Sequence, residues 1–159
     1  MERTSWWLAA GFLVVVVAYA GLSTVWVSSD AGWYARLSKP SFQPPDVVFG
    51  LIWPLNFLAL GVVGVLLARR APTGAAVACL AVLVCSVAFA LAWAWLFYVP
   101  HRLEPAAACL AAAALLTWVL VVLAWRVQPV LGVSLVVYAG WMSVATALSV
   151  AYARLNPSG

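Results

Sequence analysis

Ala75–Val99 reads A-A-V-A-C-L-A-V-L-V-C-S-V-A-F-A-L-A-W-A-W-L-F-Y-V, with no Asp, Glu, Lys or Arg. At ~1.5 Å of rise per residue, a helix of roughly 20 such residues crosses a hydrocarbon core about 30 Å thick. The stretch therefore predicts a transmembrane helix. Moving outward, Trp6–Val27 and Val47–Ala68 precede it, and Ala106–Trp125 and Val130–Ala153 follow. Each is 20 to 24 residues long and uncharged. The 8 basic and 4 acidic residues all lie between or beyond these runs. The apolar runs are continuous, without the alternation of a membrane barrel. The fold class expected is all-α integral membrane: one five-transmembrane-helix bundle over residues 1–159, with its longest loop at 29–45.

Composition agrees. Of 159 residues, 67% are hydrophobic and 8% charged, against about a quarter charged in soluble domains. Five spans leave no room for a second domain. The net charge of +4 comes from basic residues scattered over loops. They read as anchors to lipid headgroups, not as a nucleic-acid surface. Arg3, Arg69, Arg70 and Arg126 fall on one side, and Arg36, Lys39, Arg102 and Arg154 on the other. Four against four gives no positive-inside bias. Arg3, an apolar run and Ala18-Tyr19-Ala20 also suit a signal peptide, but the run continues through Val27, so a retained first helix is expected. Cys79, Cys85 and Cys109 all lie inside spans and read as packing residues, with no metal site expected. His101, between Pro100 and Arg102, reads as an interfacial side chain in preference to an axial haem ligand.

The 29–45 loop contains D-A-G-W-Y-A-R-L-S-K-P-S-F-Q-P-P from Asp30 to Pro45. Trp33, Tyr34 and Leu37 suggest one short amphipathic turn. Pro40, Pro44 and Pro45 then stiffen the chain in an extended form. Such a loop can close over a bundle as a lid or lie in the headgroup region as a connector. In the second span, Phe49, Trp53 and Phe57 recur every four residues and share a face with Asn56 beside them. Pro54 removes a helical hydrogen bond there, and Gly61 and Gly64 permit close helix contact. The third span carries Phe89, Trp93 and Phe97 at the same spacing, with Trp95 and Tyr98 expected to point elsewhere. In the fifth, Tyr138, Trp141, Ala145, Leu148 and Tyr152 follow at steps of three or four, with Ser149 nearby. If the three stripes face inward, they enclose a pocket walled by π faces, suited to a flat, apolar, conjugated ligand. The alternative is that the rings simply pack the bundle.

These motifs resemble the TspO/MBR family, the tryptophan-rich sensory proteins, whose mitochondrial members are called translocator protein or peripheral benzodiazepine receptor. W-Y-A-R-L-S-K-P-S-F-Q-P-P (Trp33–Pro45) is similar to the family's W-Y-x-x-L-x-K-P-x-W-x-P-P. V-F-G-L-I-W (Val48–Trp53) is similar to its V-F-x-x-x-W. Y-A-G-W-M-S-V-A-T-A-L-S (Tyr138–Ser149) is similar to its P-Y-x-x-W-x-x-x-A-x-x-L-N. The 10 tryptophans also fit. The resemblance implies a five-helix bundle, often a homodimer, whose cavity is capped by the first loop. It implies ligands among porphyrins, haem-related tetrapyrroles, cholesterol and benzodiazepine-type compounds, with no required cofactor. It places Tyr34, Trp53, Trp141 and Ala145 in the pocket wall, with Trp33 in the gating loop. If light-dependent porphyrin breakdown also carries over, it points to Trp53 and Trp141.

The chain departs from the family pattern in several places. Phe42 stands for a Trp, Val137 for a Pro and Ser149 for an Asn. The third-span motif N-x-x-W-x-P reads A-L-A-W-A-W (Ala90–Trp95), so a pocket hydrogen-bonding group is lost; Asn56 is the candidate to replace it. Leu148, Tyr152 and Arg154 fit a proposed sterol-contact pattern that is weak in general and equally describes interface anchors. The expected partners are membrane lipid and a porphyrin-type small molecule. The spans contain no acid–base pair or nucleophile–base pair, which argues against hydrolytic chemistry. They also lack the mid-membrane ionisable groups that coupled transporters use. Passive transfer of an apolar ligand stays open.

Overall fold

The computed structural model describes residues 6–27 and 29–157; Arg3 lies outside them. Five long helices cross the membrane: α1 (Trp6–Val27), α3 (Asp46–Arg70), α4 (Thr73–Tyr98), α5 (Leu103–Val127) and α6 (Pro129–Leu155). A short helix, α2 (Ala31–Arg36), lies in the first loop. α3, α5 and α6 overrun the charge-free segments by a turn or less because their ends carry charge in favourable places. Asp46 and Glu104 occupy the first turns of α3 and α5, and Arg69, Arg70, Arg126 and Arg154 occupy last turns. Anions at the N-terminal end and cations at the C-terminal end complement the helix dipole.

The helices form a ring. α1 packs on α3 and α4, α3 on α6, α6 on α5, and α5 on α4. The tightest contacts join α4, α5 and α6. Small side chains allow this: Ala106, Ala107, Ala113, Ala114 and Ala124 of α5 are all buried. Without a hydrophobic drive between helices in lipid, close packing of small residues does the work. Two glycines mark where backbones come closest. A Cβ on Gly64 would stand 2.7 Å from Phe12 Cβ of α1, and one on Gly132 would stand 2.7 Å from Trp125 Cβ and 2.8 Å from its Cα. Gly61 has only ordinary contact, with Leu13 at 3.6 Å. One polar tie crosses α4 and α5: Ser86 donates to the Ala113 carbonyl at 2.9 Å and lies 3.0 Å from Thr117 Oγ1.

The outer surface is apolar. Val14, Val17, Leu51, Leu58 and Leu115 all point outward and are exposed. Exposed aliphatic side chains around a packed interior are what lipid as solvent requires. The protein is an integral membrane protein.

At one end, the chain between α1 and α3 folds back over the ring. Asp30 caps α2 by accepting from the Trp33 amide at 2.8 Å. The α4–α5 turn below it places His101 in the left-handed region (φ 58°), and the Arg102 amide bonds the Leu96 carbonyl at 2.8 Å. This bond spans seven residues, one more than a Schellman closure, and His101 takes the left-handed conformation that usually favours glycine.

Candidate functional site

Under this loop lies a cavity of about 490 Å³, bounded by α1, α3, α4 and α6 and by the loop itself. α5 contributes nothing to it. From α3 come Phe49, Trp53 and Phe57, and from α4 come Ala90, Trp93, Phe97 and Tyr98. From α6 come Trp141, Ala145, Leu148, Ser149 and Tyr152. α1 adds Tyr19, Ser23, Thr24 and Val27, and the loop adds Ala31, Tyr34 and Gln43. The rings are mutually braced. Trp53 meets Trp141 edge to face at 6.4 Å and stacks on Phe57 at 5.7 Å. Phe49 meets Trp141 at 5.3 Å, and Tyr19 meets Phe57 at 5.2 Å. These are the offset and T-shaped contacts that the ring quadrupole favours.

Polar groups are few and mostly engaged. The Trp93 indole N–H donates to Ser149 Oγ at 3.1 Å, tying α4 to α6. The Tyr152 hydroxyl donates to the Tyr34 hydroxyl at 3.0 Å and also contacts the Gln43 side-chain oxygen. Asp46 is the acidic residue at the mouth. Val27, Asp46 and Gly50 line the cavity and are exposed as well, so the mouth lies between the end of α1 and the start of α3. Pro54 has no N–H to offer the Gly50 carbonyl one turn earlier, which loosens α3 at this mouth.

The loop is a lid held by three sets of contacts. Trp33 stacks on His101 at 3.9 Å and meets Phe97 edge to face at 5.6 Å. Tyr34 packs on Phe97, Tyr98 and Tyr152 at 5.7–6.4 Å. Asn156 beyond α6 accepts from the Ser38 amide at 2.9 Å and donates to its carbonyl at 3.1 Å. His101 Nε2 also lies 3.6 Å from the Asp30 carboxylate.

The structure thus brings Tyr34, Phe49, Trp53, Phe57, Trp93, Phe97, Trp141, Ala145 and Ser149 around one space. Four residues expected there stand elsewhere. Phe89 is 43% exposed on the outer face, because residues four apart drift about 40° around a helix of 3.6 residues per turn. The cavity-facing set on α4 is Ala90, Trp93 and Phe97. Trp33 braces the lid from outside the cavity wall. Tyr138 and Asn56 are buried one turn below it. Within the sterol-contact pattern, Leu148 and Tyr152 face the cavity while Arg154 is exposed, so the three share no common face.

The sequence reading missed Tyr98 and the α1 residues. Tyr98 belongs to the cavity, not the interface. α1 is apolar around its whole circumference and gives no periodicity. The Ser23-Thr24 pair gave no clear hint either, since both hydroxyls donate to the Ala20 carbonyl within α1, at 3.2 and 2.8 Å.

The family profile for TspO/MBR matches residues 10–155. The chain belongs to the TspO/MBR family. It is 31% identical over 144 residues to Protein CrtK of Rhodobacter capsulatus, covering 90% of this chain and 89% of that one. It is also 36% identical over 56 residues to the tryptophan-rich protein TspO of Archaeoglobus fulgidus, covering 35% and 36% of the two chains. The cavity is therefore that of a TspO-type bundle, a family of sensor and receptor character.

Proposed function

We propose that this TspO/MBR protein is a membrane receptor for a tetrapyrrole, held in the aromatic cavity and retained by the first loop. One observation carries the reading: Trp53 and Trp141, from helices far apart in sequence, both face the same enclosed space. A void of 300–1,000 Å³ is usual for a small-molecule site. Indole, phenol and phenyl faces recognise a flat conjugated ring by dispersion and stacking. The mouth opens at the level of the lid, so the charged edge of a porphyrin can stay near the headgroups while its macrocycle enters.

The test is a titration of the purified protein with protoporphyrin IX in a fixed detergent, followed by tryptophan quenching. Saturable binding of one ligand per chain is expected. Quenching that rises linearly, as micelle partitioning gives, would count against the reading.

A second reading, oxidation of bound porphyrin in light, draws on the same pair of indoles. The light-excited porphyrin would give up the electrons and molecular oxygen would accept them, with the two indoles at the cavity wall holding the macrocycle in place. It predicts new absorption bands on illumination that need both Trp53 and Trp141.

A further inference from the structure

Of the five buried side-chain atoms without a hydrogen-bond partner among the described residues, His101 Nε2 belongs to the α4–α5 turn under the lid, and the other four lie at one depth in the bundle. These four are both amide atoms of Asn56, the Tyr138 hydroxyl and the Trp141 indole nitrogen. Asn56 and Tyr138 are each 1% exposed. α3 runs away from the lid and α6 runs toward it. Trp53 and Trp141 touch across this pair. Asn56 is three residues further down α3 and Tyr138 three residues back along α6, each roughly 4.5 Å deeper by helical rise. The two therefore lie at the same level, directly beneath the rings that form the cavity floor. Trp141 belongs to both layers: its ring lines the cavity and its N–H is unpartnered.

An amide buried in a membrane interior without a partner is costly, and each such group calls for an occupant or a function. Here the set has three kinds of donor, amide, hydroxyl and indole, and a carbonyl acceptor, beneath a cavity large enough for a small molecule. Apolar packing needs none of them: Leu at position 56 has the same branched outline and no polar cost. Charge does not suit the place either: the groups that face the Tyr138 hydroxyl are the neutral hydroxyls of Tyr19 on α1 and Thr117 on α5.

We propose that Asn56, Tyr138 and the Trp141 N–H form a polar pit under the aromatic cavity that takes one neutral oxygen, the carbonyl or hydroxyl at the buried end of an apolar ring ligand. Water holds the place until a ligand displaces it. The proposal rests on the cavity being a ligand site but not on the ligand being a tetrapyrrole. It adds a selection rule: a ring-fused apolar molecule tipped with a carbonyl or hydroxyl is preferred over the same skeleton without it.

The test uses a matched pair, 9-fluorenone and fluorene, which differ by one carbonyl oxygen. Equilibrium dialysis in a fixed detergent should give about tenfold tighter binding of fluorenone to the wild-type protein, the worth of one good hydrogen bond. Asn56→Leu should bring the ratio near one while leaving fluorene within about twofold. Tyr138→Phe, which removes a single oxygen and threatens folding least, should lower the ratio to about three. A ratio of one in the wild type, or a ratio unchanged by both variants, overturns the proposal. For the water that precedes the ligand, water-to-amide cross-relaxation at the Asn56 side chain should be present in the empty protein and lost at saturating fluorenone. A direct Asn56–Tyr138 bond with no water signal overturns it. Failure of protoporphyrin IX to bind, with the fluorenone preference intact, refutes the tetrapyrrole reading and supports the pit.

Discussion

The Trp53→Ala, Trp141→Ala double variant should bind protoporphyrin IX about a hundredfold more weakly than the wild type, a loss of ~2.7 kcal/mol. The two rings face the same void and touch each other edge to face at 6.4 Å. Aromatic pairs contribute about 0.5–1.5 kcal/mol beyond area burial, so two stacking faces together account for most of this loss. Trp53→Phe with Trp141→Phe keeps apolar faces at both positions and should recover about tenfold. Both substitutions enlarge a cavity that already exists, so the helical content of the variants should match the wild type by circular dichroism. Unchanged affinity in the Ala double variant would mean that the macrocycle binds elsewhere.

Tyr34→Ala should accelerate release of bound porphyrin about thirtyfold, measured by stopped-flow displacement. Tyr34 is the keystone of the lid. Its ring meets Phe97 at 6.4 Å, Tyr98 at 5.9 Å and Tyr152 at 5.7 Å. Its hydroxyl accepts from Tyr152 at 3.0 Å and from Gln43 at 3.5 Å. Losing these contacts removes about 2 kcal/mol of lid closure, by the usual worth of aromatic pairs and hydrogen bonds. The Trp33–His101 stack and the Asn156–Ser38 pair remain, so the loop loosens without detaching. The association rate should change much less, because interface changes act mainly on dissociation. Tyr34→Phe keeps the ring and should speed release only about threefold. An off-rate unaffected by Tyr34→Ala would show that ligand leaves through the mouth between α1 and α3 without the lid opening.

The bundle was legible in the sequence because lipid imposes one rule on every span: no unpaired charge for about 20 residues. That rule fixed five helices but shortened three of them, α3, α5 and α6, since it ignores residues such as Asp46, Arg69 and Arg70 at the charged ends of a continuous helix. The short helix Ala31–Arg36 followed from Trp33, Tyr34 and Leu37. Its closure over the cavity did not, because composition cannot tell a lid from a headgroup connector; the ties are to Phe97, His101 and Asn156, all distant in sequence. Spacing placed Phe49, Trp53 and Phe57 together and also Trp141, Ala145 and Tyr152. It failed for Phe89, which stands one residue, about 100° of helix turn, from the cavity-facing Ala90. It failed for Tyr19 and Tyr98 because in membrane helices apolar residues cover both faces, so hydrophobicity no longer separates inside from outside. Asn56 stood out as a polar residue in an apolar span, but its depth below the cavity came only from the packing of α3 on α6.

The central claim is that one enclosed aromatic space beneath the lid is where the ligand sits, and filling that space tests it most directly. Ala145 lines the cavity on α6 opposite the α3 rings, so Ala145→Trp inserts an indole into the void and removes no existing contact. A protoporphyrin IX titration of this variant should show binding reduced at least a hundredfold, with helical content and thermal stability close to wild type. Wild-type affinity in a folded Ala145→Trp protein would contradict the account.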